Sequence, residues 1–268
     1  MNERRAEVGG IEVFWREAPS TDGGPPVVYV HGVPTNSDDW VPFLEKTGGV
    51  ALDLPGFGRS AKPNTFPYNI DGYVGYLDGW LAELGVDRYR LVVHDWGGLA
   101  LVLAQRAPER VERLVLMNCA PLMEGYRWHR VARAWRTPLL GEVLMGLTFR
   151  ANLRRSLSRA VPGGEVPDEF LDSIWSHFDH GTQRAILKLY RSAPPDVHAA
   201  AGGNLGDITA PALVAWGDGD PYISTEFAHR WPDLLGGPTQ VEIIPDGRHW
   251  SWVNRPQTVD LVAGFLLG

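Results

Sequence analysis

Val93-His94-Asp95-Trp96-Gly97-Gly98 follows the apolar run Leu91-Val92-Val93 and opens a segment patterned as a helix, Gly97 to Ala107. A strand that turns sharply into a helix presents one side chain at the carboxyl edge of a sheet, and in the elbow form of that turn the central residue is a nucleophile. That residue is Asp95. A carboxylate, with a reference pKa of about 3.9, is ionised at neutral pH and needs no base to activate it, whereas a serine does. It attacks best at an sp³ carbon bearing a leaving group, where it forms an alkyl ester. Attack on an ester carbonyl would give an anhydride, a poor intermediate for hydrolysis, so the segment points toward epoxides and alkyl halides. An aspartate here can also be an ordinary helix N-cap, and the rest of the chain has to decide.

Outward from this segment, short apolar runs recur: Val27-Val28-Tyr29-Val30, Val50-Ala51-Leu52, Leu114-Val115-Leu116-Met117 and Leu213-Val214-Ala215-Trp216. Runs of this length, apolar at every position, suit strands buried on both faces of a parallel sheet. Helix-like stretches such as Tyr73 to Leu84 separate several of them, and this alternation predicts a doubly wound α/β sheet. A further strand is expected at Val241 to Ile244 and a closing helix at about Pro256 to Leu267. From Pro121 to Gly203 the strands give way to helical patterns. The expected organisation is therefore a core of residues 1–120 and 204–268 with a helical cap, 121–203, inserted between the two parts. Within the cap, Arg127, Arg130, Arg133 and Arg136 recur every third residue among Trp128, Ala132 and Trp135, which suggests an amphipathic helix with a solvated arginine face, anion binding by the arginines being the alternative.

The totals set outer limits. The 268 residues suit one large domain, 44% hydrophobic and 21% charged residues are ordinary for a globular chain, and 31 Gly with 21 Pro imply many short turns. A net charge of −7 argues against a nucleic-acid surface and favours a small-molecule partner. The single cysteine, Cys119, excludes an internal disulfide. A charged N-terminus without an apolar run, and no stretch long enough to span a bilayer, make the cytoplasm the expected location and a membrane partner unexpected.

Three segments favour the nucleophile reading of Asp95 over the cap. His31-Gly32-Val33-Pro34 follows the strand at Val27 to Val30, where Val33 and Trp96 are placed to donate backbone N–H groups to an oxyanion. Trp216-Gly217-Asp218-Gly219-Asp220 and Gly247-Arg248-His249-Trp250 each follow a predicted strand, in the order nucleophile, acid, histidine. His249 is then the general base that activates water. Asp220, further past its strand than Asp218, is the acid that orients it, and Asp218 reads as a turn residue.

With Asp53-Leu54-Pro55-Gly56-Phe57-Gly58-Arg59-Ser60 added, the chain resembles along nearly its whole length the α/β-hydrolase family that contains epoxide hydrolases and haloalkane dehalogenases. The resemblance implies an α/β-hydrolase fold, no cofactor and no metal. His177-Phe178-Asp179-His180 offers no third ligand and reads as a solvated helix. The resemblance also implies that Tyr190, within Ala185 to Arg191, donates a proton to an opening epoxide. A second cap tyrosine is missing, because Val131 stands near its place, which leaves Tyr126 or His129 as the substitute. Val33 occupies the position where dehalogenases commonly carry a halide-binding asparagine, although Trp96 and a cap tryptophan (Trp128, Trp135 or Trp175) could bind halide. Val93 stands where the elbow normally has a small residue. Hydrolysis of a small apolar epoxide by water is the expected activity, haloalkane dehalogenation the alternative, and a non-catalytic binding protein on the same fold the third possibility.

Overall fold

The computed structural model describes all 268 residues and contains eight strands, eleven α-helices and six short 3-10 helices. The strands are β1 (Asn2–Val8), β2 (Ile11–Ala18), β3 (Val27–Val30), β4 (Gly49–Leu52), β5 (Tyr89–Asp95), β6 (Val111–Cys119), β7 (Ala212–Gly217) and β8 (Thr239–Ile244). They form one sheet in the order β1-β2-β4-β3-β5-β6-β7-β8, parallel from β4 to β8, with β1 and β2 antiparallel. Along the central strands alternate side chains enter two different cores: Leu91 and Val93 of β5 pack on one face of the sheet and Val92 on the other, as Leu114 and Leu116 of β6 oppose Val115 and Met117. Both faces are dry, which is why these runs are apolar at every position.

The β1–β2 hairpin is absent from the sequence reading. Its strands carry Glu3, Arg4, Arg5, Glu7, Glu12, Arg16 and Glu17, which resemble a charged tail. In the fold the charges pair across the strands, Arg4 with Glu17, Arg5 with Glu12 and Arg16 with Glu3, as suits an exposed edge strand. Gly9 and Gly10, both at positive φ, make the turn and were the available signal.

The helices of the body are α1 (Val41–Thr47), α2 (Ile70–Glu83) and α3 (Ala100–Arg106). α2 starts earlier than its apolar pattern because Asn69 caps it, accepting the Gly72 amide. The segment expected as one helix from Gly97 to Ala107 is a 3-10 turn, Trp96–Leu99, leading into α3. Between β6 and β7 lie α4 (Arg130–Arg136), α5 (Leu140–Gly146), α6 (Arg150–Leu157), α7 (Asp168–Trp175), α8 (His180–Ser192) and α9 (Pro195–Ala200); α10 (Trp231–Leu234) and α11 (Pro256–Leu267) follow. No helix is long and apolar enough to cross a membrane.

The arginine helix differs from its expectation. α4 begins only at Arg130, so Arg127 and Trp128 precede it. Trp128 is buried and its indole N–H donates to the Ala193 carbonyl. Arg136 is not on a solvated face, because it donates to the carbonyls of Tyr190 and Ala193 at the end of α8. A guanidinium there meets the partial negative charge of the helix terminus.

Candidate active site

The chain leaves β3 toward β4 on one side and returns to β5 on the other, so strand order reverses beside β3. Open α/β sheets bind ligands outside the carboxyl ends of their strands at such a reversal. Asp95 ends β5 there with φ 47° and ψ −124°, a conformation costly for a non-glycine residue and common at functional turns. Two glycines make the elbow possible. A Cβ at Gly97 would lie 2.1 Å from the Val30 carbonyl oxygen, and one at Gly32 would lie 2.4 Å from Asp95 Oδ1. Val93, at the position where a small residue is expected, is fully buried within the ladder between Val30 and Leu116.

The Val33 amide donates to Asp95 Oδ1 at 2.8 Å, and the Trp96 amide also faces the carboxylate. The loop holding Val33 is pinned from below. Leu54 N–H donates to His31 Nε2, so the His31 proton sits on Nδ1 and is given to the Gly32 carbonyl. Asp53 accepts the Ser37 and Arg59 amides. The Asp53 to Ser60 segment therefore acts as scaffold for the loop after β3.

His249 lies on the loop after β8, fully buried. Its Nε2 is 3.6 Å from Asp95 Oδ2 and its Nδ1 donates to Asp220 Oδ2 at 2.8 Å. Asp220 Oδ1 accepts the amides of Tyr222 and Ile223. Asp218 makes no side-chain contact with His249; its backbone instead ties the β7 loop to Ile244 and Arg248. Burial alone pulls the His249 pKa down, but Asp220 and then Asp95 more than offset it, so the net shift is upward. The Asp95 pKa is raised, chiefly by desolvation, against the opposing pull of His249 and the Val33 and Trp96 amides.

Two contributors escape the sequence reading. Asn118, fully buried at φ 37° near the end of β6, donates to Asp220 Oδ2 at 2.7 Å and accepts the Gly217 amide at 2.8 Å, fixing the acid from the neighbouring strand. The available signal was a polar residue straight after the apolar run Leu114 to Met117. His94 bonds the His249 carbonyl through Nε2 at 3.0 Å and packs its ring 4.6 Å from the His249 ring.

A cavity of about 420 Å³ opens over Asp95 and His249, lined mostly by apolar residues. Tyr190 and His129 both line it. The buried Tyr190 ring is wedged edge-on against Trp96, Trp128 and Trp135. Burial and then the Asp95 charge push its pKa well up, so it is a neutral phenol. His129 Nδ1 accepts the Ala132 amide at the start of α4, which places the proton of the neutral ring on Nε2. Its pKa falls to about 4, chiefly through burial. Tyr126 lines a separate groove and packs on Trp128 and Phe227. Among the cap tryptophans, Trp135 lines the cavity, Trp128 is committed to Ala193, and Trp175 stacks on Phe178. Asp179 caps α8 and pairs with Lys62.

Residues 25–256 match the family model described as alpha/beta hydrolase fold. A haloalkane dehalogenase of Mesorhizobium japonicum is 38% identical over 250 residues, covering 85% of this chain and 79% of that protein. Epoxide hydrolase 3 of Xenopus tropicalis is 27% identical, covering 89% of this chain and 70% of that protein. The crystal structure of haloalkane dehalogenase DbeA from Bradyrhizobium elkani superposes with a TM-score of 0.84 at 27% identity, covering 99% of this chain and 97% of that one. With the family model matching most of its length, this chain belongs to the alpha/beta hydrolase fold family and is a hydrolase related to both epoxide hydrolases and haloalkane dehalogenases.

Proposed function

We propose that the protein hydrolyses an apolar epoxide to a vicinal diol, with Asp95 as nucleophile, His249 as base and Asp220 as its orienting acid. The observation that carries this reading is the pair of neutral proton donors, Tyr190 and the His129 Nε2–H, lining the same cavity as Asp95. A departing alkoxide needs a proton, whereas a departing halide needs only N–H dipoles.

The two carboxylate oxygens of Asp95 divide the work. Oδ1 is held by the Val33 amide, and Oδ2, on the His249 side, is the attacking atom. Oδ2 bonds to a ring carbon, the C–O bond breaks, and the ring oxygen takes the Tyr190 proton with His129 as second donor. In the second step His249 removes a proton from water, and the hydroxide formed attacks Cγ of the ester. The resulting oxyanion develops on Oδ1 against the Val33 and Trp96 amides, which are already in place. Collapse expels the alkyl oxygen, which takes the proton of the newly formed Asp95 carboxyl and leaves as the diol, and the proton on His249 returns to Tyr190. Residues 121–203 act in this reading as a cap that brings both donors over the nucleophile and excludes water.

Haloalkane dehalogenation through the same Asp95 ester is the second reading, favoured by the dehalogenase relatives and by Trp135 in the cavity wall. A binding protein is the third. Paired turnover on styrene oxide and a bromoalkane tests all three: diol without bromide is expected, bromide without diol would transfer the assignment to the second reading, and neither product would leave only binding.

A further inference from the structure

The arginines divide the chain in two. Outside residues 127–159 each of the fourteen arginines pairs with a carboxylate or donates to a backbone carbonyl, including Arg113, Arg184 and Arg230, which have no ion pair but reach carbonyls. Inside that segment Arg136, Arg150 and Arg154 are engaged, whereas the side chains of Arg127, Arg130, Arg133, Arg155 and Arg159 donate to no acceptor. The segment holds eight arginines and one acidic residue, Glu142, which itself pairs with Arg191. The rest of the chain has 17 basic and 31 acidic residues. Unpaired cations have thus collected on and immediately beside α4 and α6 of a protein with acid to spare.

The same segment carries the protruding apolar side chains. Of the nine large hydrophobic residues that stand exposed, six lie between 131 and 149. Leu139 is 80% exposed, Leu147 61% and Phe149 58%. Leu139, Leu140, Val143 and Leu147 share the outer side of α5, while Leu144 and Thr148 of the same region line the cavity over Asp95. Leu139 is moreover held at φ 66°, a strained conformation for a leucine that gains no burial in the monomer. Arg130 and Val131 of α4 and Asn152 and Ser156 of α6 complete the outer part of that cavity. The apolar ridge, the free arginines Arg130, Arg133 and Arg155, and the way to Asp95 therefore lie on the same three helices, with Arg127 just before α4 and Arg159 just after α6.

We propose that α4–α6 form an interfacial docking surface for an anionic lipid bilayer, with the α5 ridge entering the headgroup region and the free arginines against the headgroup phosphates. A ridge of leucines on α5 with free cations on the neighbouring helices α4 and α6 matches a surface that is anionic outside and apolar beneath. A nucleic acid would leave the exposed leucines unused. Docking in this orientation brings the cavity to the bilayer, from which an apolar substrate can enter without crossing water.

The test is flotation of the purified chain with vesicles of phosphatidylcholine containing phosphatidylglycerol, against pure phosphatidylcholine. Binding to the anionic vesicles that weakens as salt is raised is expected. The pair Arg133→Gln and Arg155→Gln should weaken it on the order of tenfold or more, at about fivefold per arginine. The pair Leu139→Ser and Leu147→Ser should do likewise, with urea midpoints confirming that both variants fold. Absent binding, or binding indifferent to phosphatidylglycerol and to both pairs, overturns the proposal. A solution dimer dissolved by Leu139→Ser and Leu147→Ser, without vesicle binding, overturns it in favour of a second copy as occupant.

Discussion

Tyr190→Phe removes one hydroxyl and leaves the ring wedged against Trp96, Trp128 and Trp135, so the fold and the cavity should survive. A positioned general acid contributes about 10²–10⁴-fold. Because the His129 Nε2–H lines the same cavity, the opening oxygen keeps one donor, and the loss should fall at the low end, about 10²-fold or roughly 3 kcal/mol of transition-state stabilisation. Removing both donors with Tyr190→Phe and His129→Phe should cost more, up to about 10⁴-fold, and the His129 change should also lower stability by about 1 kcal/mol through loss of the α4 cap. The assay is single-turnover quench-flow with styrene oxide, which separates ester formation from ester hydrolysis. Only the first phase should slow, since His249 and the Val33 and Trp96 amides are untouched. Bromide release from a bromoalkane, if it occurs, should not change. Ester formation within fivefold of the parent rate would make Tyr190 a packing residue and remove the main support for epoxide opening.

Asp220→Asn should reduce turnover on the order of 10³–10⁴-fold, because it removes the charge that orients and stabilises the His249 ring, whereas Asp218→Asn should stay within a few-fold; steady-state kinetics of the two variants would expose the reverse ranking. The pH dependence should also separate the steps. Alkylation cancels the Asp95 charge, one of the causes holding the His249 pKa up, so the histidine pKa should fall in the ester intermediate and leave the base neutral. Ester hydrolysis, measured by quench-flow across pH, should be lost as pH drops through that lowered value, and ester formation as pH drops through the raised Asp95 pKa. For the free enzyme the sign on stability is opposite: the raised His249 pKa contributes stability fully present below about pH 6.5, its unfolded value, and lost as pH rises through the folded value. Urea midpoints across that range would show it.

The sheet was legible because strands buried on both faces leave no polar position: Leu91 to Val93 and Leu213 to Trp216 advertise themselves whatever surrounds them. The β1–β2 hairpin was not, since its stability comes from cross-strand pairs such as Arg16 with Glu3, which only the register brings together. The candidate residues Asp95, Asp220 and His249, which the structure brings together, were readable from their places at strand ends. Asn118 was not, although it follows the same rule, because an asparagine announces no chemistry until its partner is seen. The choice between Tyr126 and His129 was also beyond sequence: three residues apart, one packs toward Phe227 and the other lines the cavity.

Intact mass of the His249→Gln variant after incubation with styrene oxide bears on the central claim, because the base acts only after the nucleophile has been alkylated. The variant should accumulate a stable adduct of one substrate mass, located by peptide mapping on Asp95, whereas any adduct on the parent should disappear once substrate is exhausted. An adduct on any other residue, or normal diol formation by the variant, would contradict the assignment of Asp95 as nucleophile and His249 as base.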